Sequence, residues 1–277
     1  MLTSQQREAR KQGIGASECA AALGISSFMT PYELWLIKTG REPEPDLSDN
    51  QHVLWGTLLE PVIADYYAKT TGEILDKVDD TFIHPTLPFM LCHPDRLIHG
   101  KRKLLQIKTA NPFTKNWGDA GSDEVPLMYL CQVQHEMACT GYDETDLIVF
   151  RGTTDVRTYP IKRDQKVIDY IEKQLSHFWN HHVLGDNPPP AKTRNDLKHM
   201  FPLNNGDYAE YDPAIEQHLL ARKKAKEIID SAENDKADAE FEIIKFIGDK
   251  DGIICDDDII ATYKADKNGK RTLRVRG

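Results

Sequence analysis

Apolar residues recur at helical spacing along the first quarter of the chain. In 56–71 they fall three and four positions apart, which predicts an amphipathic helix with one buried face. Two shorter helices are predicted, one over 20–23 and one from Pro31 to about residue 40. Thr30 suits the N-cap of the second short helix, and Pro31 suits its first position, where no amide hydrogen is needed.

The middle of the chain is rich in short apolar runs that predict a sheet. The predicted strands are 82–84, 90–92, 96–98, 104–108, 145–151 and 156–161. A long helix is predicted over 125–141, between the fourth and fifth strands, and an amphipathic helix over 164–183. This alternation of helices and strands predicts an α/β fold with a mixed central sheet flanked by helices.

A run of three prolines, Pro188 to Pro190, marks a predicted domain boundary. We assign 1–190 to the α/β core and 191–277 to a smaller α+β appendage. Two helices are predicted over 212–247, as a helical hairpin. Asn268-Gly269, a dipeptide typical of two-residue β-turns, predicts a β-hairpin near the end of the chain.

Composition excludes several classes of protein. The chain is 40% hydrophobic and has no run of about 18 apolar residues, so no membrane span is predicted. The polar segment Met1 to Lys11 argues against a secretory signal peptide. The five cysteines are scattered and form no CxxC pair, which argues against a zinc site or a disulfide framework. We therefore expect a cytoplasmic protein.

The net charge of −9 argues mildly against a nonspecific nucleic-acid coat protein. It does not exclude a nuclease, because metal sites need carboxylates and a DNA channel needs only local positive charge. Basic residues do cluster over 222–226 and 264–276. For each of these two clusters taken alone, a solvated protein face is the favoured interpretation.

The segment from Asp95 to Lys108 carries the strongest chemical signal. Gly100-Lys101 suits a two-residue turn, and pairing outward from it places Asp95 opposite Gln106. Oxygens on those two side chains can then share one divalent ion. Lys108 lies on the same strand face as Gln106, where a lysine can orient the water for metal-assisted phosphodiester hydrolysis. An ordinary surface hairpin with the same three residues is the competing interpretation.

Two further segments carry polar residues in otherwise apolar helices. Glu60, on the predicted helix 56–71, either contributes a carboxylate to the metals or is a solvated helix residue. Gln132 and Gln134, on the predicted helix 125–141, either form a buried hydrogen-bonding pair or contact the active site. Taken alone, neither segment decides between its alternatives.

Six segments form a pattern when they are taken in order. They are Gly13-Ile14-Gly15-Ala16-Ser17-Glu18, Pro31-Tyr32-Glu33-Leu34-Trp35, Gly56 with Glu60, Pro94-Asp95, Gln106-Ile107-Lys108 and Gln132-Val133-Gln134. Together they resemble the lambda exonuclease family, also called the YqaJ-type phage recombinase nucleases, within the wider PD-(D/E)xK nucleases. No single segment is specific, but their order and spacing together are specific, from residue 8 to residue 180. The resemblance implies a restriction-endonuclease-like core.

The resemblance also implies a role for each matching residue of the active site. Asp95 would ligate Mg²⁺ and bridge two ions, and Ile107 would offer its backbone carbonyl to one of them. Lys108 would be the catalytic lysine. Glu60 would support the metal-bound water, with Gln134 beside it. Mn²⁺ is expected to substitute for Mg²⁺.

The same resemblance implies a substrate and partners. Ser17 and Arg10 would bind the 5′-phosphate of a DNA end. Family members degrade one strand of duplex DNA from the 5′ end, commonly form trimeric rings around the DNA, and cooperate with a single-strand annealing protein. The chain is therefore expected to be a phage- or prophage-encoded recombination exonuclease in the cytoplasm of a bacterial host.

Gln106 departs from the family pattern, which has glutamate at this position. An amide oxygen still ligates a hard cation but brings no negative charge, so metal binding and catalysis should both weaken. Either glutamate was replaced to trap an uncut DNA complex, or the protein is a naturally impaired relative. The alternatives are a non-catalytic DNA-end-binding protein and a RecB-like repair nuclease of different polarity. The iron–sulfur cysteines common in RecB-like nucleases have no match among the scattered cysteines here.

Overall fold

The computed structural model describes residues 10–276, so most of the polar N-terminal segment interpreted above lies outside the described residues. The chain divides into two compact units, one ending at Leu203 and one beginning at Asn204. This division lies later in the chain than the boundary expected at the proline run. In residues 10–276, no helix is both long and apolar enough to cross a membrane.

The strands of the first unit are short in its first half and long in its second. They are β1 (Ile14–Gly15), β2 (Leu75–Lys77), β3 (Phe82–Ile83), β4 (Met90–Cys92), β5 (Arg96–Ile98), β6 (Lys103–Ala110), β7 (Glu144–Arg151) and β8 (Asp155–Lys162). The larger sheet has the order β2-β5-β6-β7-β8; β6 and β7 pair in parallel and the other neighbours antiparallel. The smaller sheet has the order β1-β4-β3.

Helices cover both faces of the larger sheet. The helices of the first unit are α1 (Cys19–Ala22), α2 (Pro31–Lys38), α3 (Gln51–Thr71), α4 (Leu127–Thr140), α5 (Gln165–His177) and α6 (Arg194–Met200). Ile63 of α3 shares a core cluster with Leu105 and Ile107, whereas Val133 of α4 shares another with Leu104. Alternate residues of β6 therefore face α3 and α4. This arrangement confirms the predicted mixed α/β fold.

Several details of the first unit differ from the pattern-based predictions. The elements β1, β2 and α6 were not predicted, because each is too short to show a period. The helix predicted over 164–183 changes after His177 into a π-helical segment, Phe178–Leu184. In the β5–β6 turn, the Lys101 amide donates to the Ile98 carbonyl at 3.1 Å. Gly100, with a φ of 72°, is therefore the third turn residue rather than the second.

The segment after the proline run is tied to the first unit by Asp196. Its carboxylate is fully buried and accepts the Thr30 hydroxyl at 3.0 Å. It also accepts the backbone amides of Lys192 and Thr193, at 2.7 and 3.0 Å. A buried carboxylate with three donors holds its segment firmly, which explains why the unit continues past the prolines.

The second unit consists of one long helix and a three-stranded antiparallel sheet. Its elements are α7 (Pro213–Ile247), β9 (Gly252–Cys255), β10 (Asp258–Ala265) and β11 (Arg271–Val275). The strands β10 and β11 form a hairpin where Asn268-Gly269 predicted one. The helical hairpin expected over 212–247 is instead one continuous helix, because 232–237 contains no glycine or proline to end it.

Candidate active site

A cleft of about 260 Å³ opens where α3 meets β6. Its lining includes Glu60, Asp95, Gln106, Ile107 and Lys108, all of which were predicted for the site from sequence. The remaining lining residues are Val53, Gly56, Thr57 and Thr109. The cleft thus brings together residues of a helix, the residue just before β5 and the middle of β6.

Asp95 reaches the cleft from the position just before β5. In the β5–β6 register Arg96 pairs with Leu105, and continuing that register by one residue puts Asp95 opposite Gln106, as predicted. The Ile107 amide donates to Asp95 Oδ2 at 2.7 Å and fixes the carboxylate against the strand. Burial raises the pKa of Asp95 to about 6, although the nearby Lys108 ammonium and this hydrogen bond act in the opposite direction. Asp95 is therefore mainly ionised at neutral pH.

Glu60 is held by an arginine at the edge of the cleft. Arg96 Nη1 lies 2.9 Å from Glu60 Oε1. The same guanidinium donates to the backbone carbonyl of Asp95. The charge of Glu60 is therefore compensated locally, so this carboxylate adds less negative charge to the cleft than its type suggests.

Gln106 and Lys108 share the face of β6 that meets α4. Gln106 is 3% exposed, and no group in residues 10–276 makes a hydrogen bond to its Oε1. An unpaired buried acceptor costs roughly 1–3 kcal/mol, so this oxygen is well disposed to accept a ligand. Lys108 Nζ lies 5.5 Å from the centre of the Tyr129 ring, and Tyr129 is on α4.

Gln134, expected beside Glu60, does not reach the cleft. Its Nε2 donates to the Lys162 carbonyl at 2.8 Å, and its Oε1 accepts the Asp164 amide at 3.0 Å. Both ends of the amide are thus engaged where β8 passes into α5. The reason is helical geometry, because side chains two residues apart on a helix point in nearly opposite directions. Gln132 lies three residues from Tyr129, on the helical face that contacts Lys108 through the Tyr129 ring.

Glu136, also on α4, was missed by the sequence analysis. It is 1% exposed, its Oε1 accepts Gln132 Nε2 at 2.9 Å, and its Oε2 has no partner in the described part of the chain. Burial raises the pKa of Glu136 to about 8; the Lys108 ammonium acts to lower this pKa and the Asp95 carboxylate to raise it. Tyr129, Gln132 and Glu136 share one helical face, a spacing that identifies the group once α4 is known to pack over Lys108.

The predicted phosphate-binding residues meet near the start of the described chain. Arg10 Nη2 donates to the exposed Ser17 hydroxyl at 3.4 Å and forms an ion pair with Glu18 at 3.0 Å. Glu18 also accepts the Gly15 amide at 2.7 Å and the Lys38 ammonium at 2.8 Å. A guanidinium is thereby held beside an accessible hydroxyl, an arrangement that suits a phosphate group.

This cluster lies beside the chain segment that leads to Asp95. Strand β1 pairs in parallel with β4, with Gly15 opposite Leu91. After β4 the chain passes through His93 to Asp95. Burial lowers the pKa of His93, and the charge of Arg10 acts in the same direction. Arg10 is therefore close to the entry of the strand that carries the cleft's aspartate.

The donor set of the cleft matches the preference of hard divalent ions. Asp95, Gln106 and Ile107 offer carboxylate, amide and carbonyl oxygens, which Mg²⁺ and Mn²⁺ take in proteins. The unpartnered Gln106 Oε1 fits the position of an ion ligand. Over the described ranges, no three acidic, histidine or cysteine side chains converge on a metal position. The donors thus fit a divalent ion, with less negative charge than three carboxylates would supply.

Known proteins resemble the chain in sequence and in fold. The crystal structure of LHK-Exo, an alkaline exonuclease from Laribacter hongkongensis, matches with a TM-score of 0.52 and 23% identity, over 72% of this chain and 97% of that chain. LHK-Exo in complex with dAMP matches over the same shares, with a TM-score of 0.52 and 22% identity. The uncharacterized protein YqaJ of Bacillus subtilis (strain 168) is 31% identical over 254 residues, which are 85% of this chain and 78% of that protein. Residues 7–143 match the YqaJ-like viral recombinase domain. The chain belongs to the YqaJ-like viral recombinase family.

Proposed function

We propose that the protein is a magnesium-dependent exonuclease that degrades one strand of duplex DNA from 5′ to 3′ during phage-type recombination. The observation that carries the proposal is the cleft shared by Asp95, Gln106, Ile107 and Lys108. Membership of a viral recombinase family and the fold of an alkaline exonuclease support this class of reaction. Mn²⁺ is expected to replace Mg²⁺, and two ions are expected in each site.

Each residue of the cleft has a task in such a reaction. Asp95, Gln106 Oε1 and the Ile107 carbonyl hold the divalent ion. When bound, the ion supplies Lewis-acid stabilisation of the charge on the phosphodiester. Lys108 Nζ orients the attacking water and stabilises its deprotonated form. Glu60, anchored by its arginine partner, supports the water from the other side of the cleft.

Arg10 and Ser17 select the end of the substrate in this proposal. Charged donors to phosphate are stronger than neutral ones, and Glu18 keeps the Arg10 guanidinium beside the Ser17 hydroxyl. A 5′-phosphate bound there fixes which phosphodiester enters the cleft. The 5′-to-3′ polarity follows from anchoring that end.

The proposal also includes assembly into a homotrimer around DNA and cooperation with a single-strand annealing protein in the bacterial cytoplasm. Both rest on the family resemblance. Sedimentation equilibrium of the full chain tests the trimer, and titration with an annealing protein encoded by the same phage or prophage tests the partnership.

A nuclease assay on linear duplex DNA, labelled at the 5′ or the 3′ end, tests the central proposal. The Gln106→Glu variant restores a carboxylate and is expected to raise magnesium-dependent nucleotide release by roughly tenfold or more. Asp95→Asn should abolish release, whereas Glu124→Gln, an exposed residue outside the cleft, should not change it. If neither the present chain nor Gln106→Glu cleaves any of the DNA ends tested, the proposal is wrong.

The weak charge of the cleft favours a second candidate, a protein that binds DNA ends without cutting them. Among the described residues no group of three acids, histidines or cysteines is set for a metal. This candidate predicts salt-sensitive binding to 5′-phosphorylated ends and no gain of cleavage from Gln106→Glu. The same assay therefore separates the two candidates.

A further inference from the structure

We propose that Glu136 supplies from helix α4 the negative charge that Gln106 does not supply from strand β6, and that it thereby sustains divalent-ion binding by this chain. The inference rests on the proposed nuclease function, because it concerns the same cleft. It makes the helix, rather than the strand, the source of the second anionic group.

Glu136 is buried where an apolar residue would normally pack. Its side chain is 1% exposed, while the next residue, Met137, is a fully buried part of the core. Gln132 donates to one carboxyl oxygen, and the other has no partner within residues 10–276. Burying an acid with incomplete hydrogen bonding costs free energy, and folds accept such costs mainly at functional sites.

Glu136 lies on the face of α4 that contacts the lysine of the site, and its backbone carbonyl lies near the end of β4. Tyr129 and Glu136 are seven residues apart on α4 and so lie on one helical face. Tyr129 contacts the Lys108 ammonium, with 5.5 Å between Nζ and the ring centre. Cys92 Sγ lies 3.8 Å from the Glu136 carbonyl, at the end of the strand that leads to Asp95.

The charges around the cleft leave a need for a second carboxylate. Asp95 is one anion, Gln106 is neutral, and Glu60 is already paired with a guanidinium. The Lys108 ammonium acts to lower the pKa of Glu136 and the Asp95 carboxylate to raise it. A divalent ion in the cleft favours the ionised form of Glu136 for the same reason that the ammonium does.

A purely structural acid, present only to bond Gln132, is the alternative. The two roles differ in how they depend on residue 106. A structural contribution is the same whether residue 106 is Gln or Glu. Charge compensation matters only while residue 106 is neutral, so the two positions should be energetically coupled.

Calorimetric titration of the metal-free full chain with MnCl₂, without DNA, tests the inference. Glu136→Gln is expected to lower Mn²⁺ affinity by roughly 10–100-fold in the present chain. The same change should leave the affinity nearly unchanged in the Gln106→Glu background. Glu124→Gln is the matched control and should alter neither. Glu136→Asp keeps the charge and should retain more affinity than Glu136→Gln, which guards against a general loss of folding.

Equal losses in both backgrounds, or no loss in either, overturn the inference. It is also overturned if the present chain binds no Mn²⁺ while Gln106→Glu binds it. These outcomes leave the nuclease proposal to be decided by cleavage with Gln106→Glu. The expected coupling without any DNA cleavage would instead support the role of Glu136 and reject the nuclease.

Discussion

Replacing Glu136 with glutamine should change how the stability of the first unit depends on pH. Burial raises the pKa of Glu136 from its ordinary 4.5 to about 8, so the folded protein keeps a proton that the unfolded chain releases at lower pH. Between these values the folded state binds more protons, and the free energy of unfolding therefore falls as pH rises. Glutamine does not titrate, so the free energy of unfolding of the variant should decrease less as the pH rises.

The expected magnitude follows from the two pKa values. At about 1.4 kcal/mol per pH unit, a rise from 4.5 to about 8 corresponds to on the order of 5 kcal/mol across the whole window. Solvent screens the charge little, because Glu136 is 1% exposed. Burial raises the pKa of Asp95 to about 6 and contributes in the same direction. Asp95 is common to both proteins, so the difference between them reports Glu136 together with its electrostatic effect on Asp95.

Urea unfolding with a chelator present, from about pH 5 to about pH 8, measures this difference. Tryptophan fluorescence is the suitable signal, because all four tryptophans precede Leu203 and report on the first unit alone. The Glu124→Gln control should follow the present chain at each pH. An identical pH dependence in Glu136→Gln and in the present chain would show that Glu136 does not titrate as a buried acid.

Three further predictions concern the cleft, the phosphate site and the fold. Lys108→Met should lower DNA cleavage by about 100-fold or more without loss of DNA-end binding, as seen by comparing cleavage rates with end-binding affinity in Ca²⁺. Arg10→Ala, and more weakly Ser17→Ala, should reduce the preference for 5′-phosphorylated over 5′-hydroxyl ends by roughly tenfold, measured by competition binding. Gly13→Ala places a Cβ 2.5 Å from the Phe89 carbonyl oxygen. It should lower the urea midpoint by an amount equivalent to roughly 1–3 kcal/mol. Unchanged cleavage, unchanged end preference or an unchanged midpoint would contradict the respective prediction.

The strand register of the β5–β6 hairpin could be predicted from the sequence, because it depends on residues close together in the chain. Period-two alternation and a turn near Gly100 place Asp95 opposite Gln106, and the structure has that register. The turn itself is built differently, yet the pairing holds. Register depends on which side chains are buried, and Leu105 must face the core below α3.

The polar residues of α4 could not be assigned in the same way. Gln132 and Gln134 look alike in sequence, and their roles depend on partners from other elements. The Gln134 amide forms hydrogen bonds with the backbone of Lys162 and Asp164, whereas Gln132 forms one with Glu136 of its own helix. Glu136 was missed because glutamate is rarely buried, so its type predicts an exposed position. Glu136 lies seven residues after Tyr129, and this spacing becomes informative only once α4 is known to pack against Lys108.

Helix breaks and domain boundaries were predicted less well than the hairpin of the site. The predicted break between the two helices falls near 233–236, where the residues are polar, but polarity alone does not end a helix. The proline run likewise did not end the first unit, because the buried carboxylate of Asp196 holds the following segment. Both differences come from interactions that a local pattern does not contain.

Anomalous diffraction from crystals soaked in MnCl₂ and measured at the manganese edge shows whether the cleft binds a divalent ion. We expect a peak in the cleft, at roughly 2.1 Å from an oxygen of Asp95, the Gln106 amide oxygen and the Ile107 carbonyl, with Lys108 Nζ on the same side. A peak only elsewhere, or Asp95 and Lys108 facing apart with nothing bound between them, would contradict this expectation.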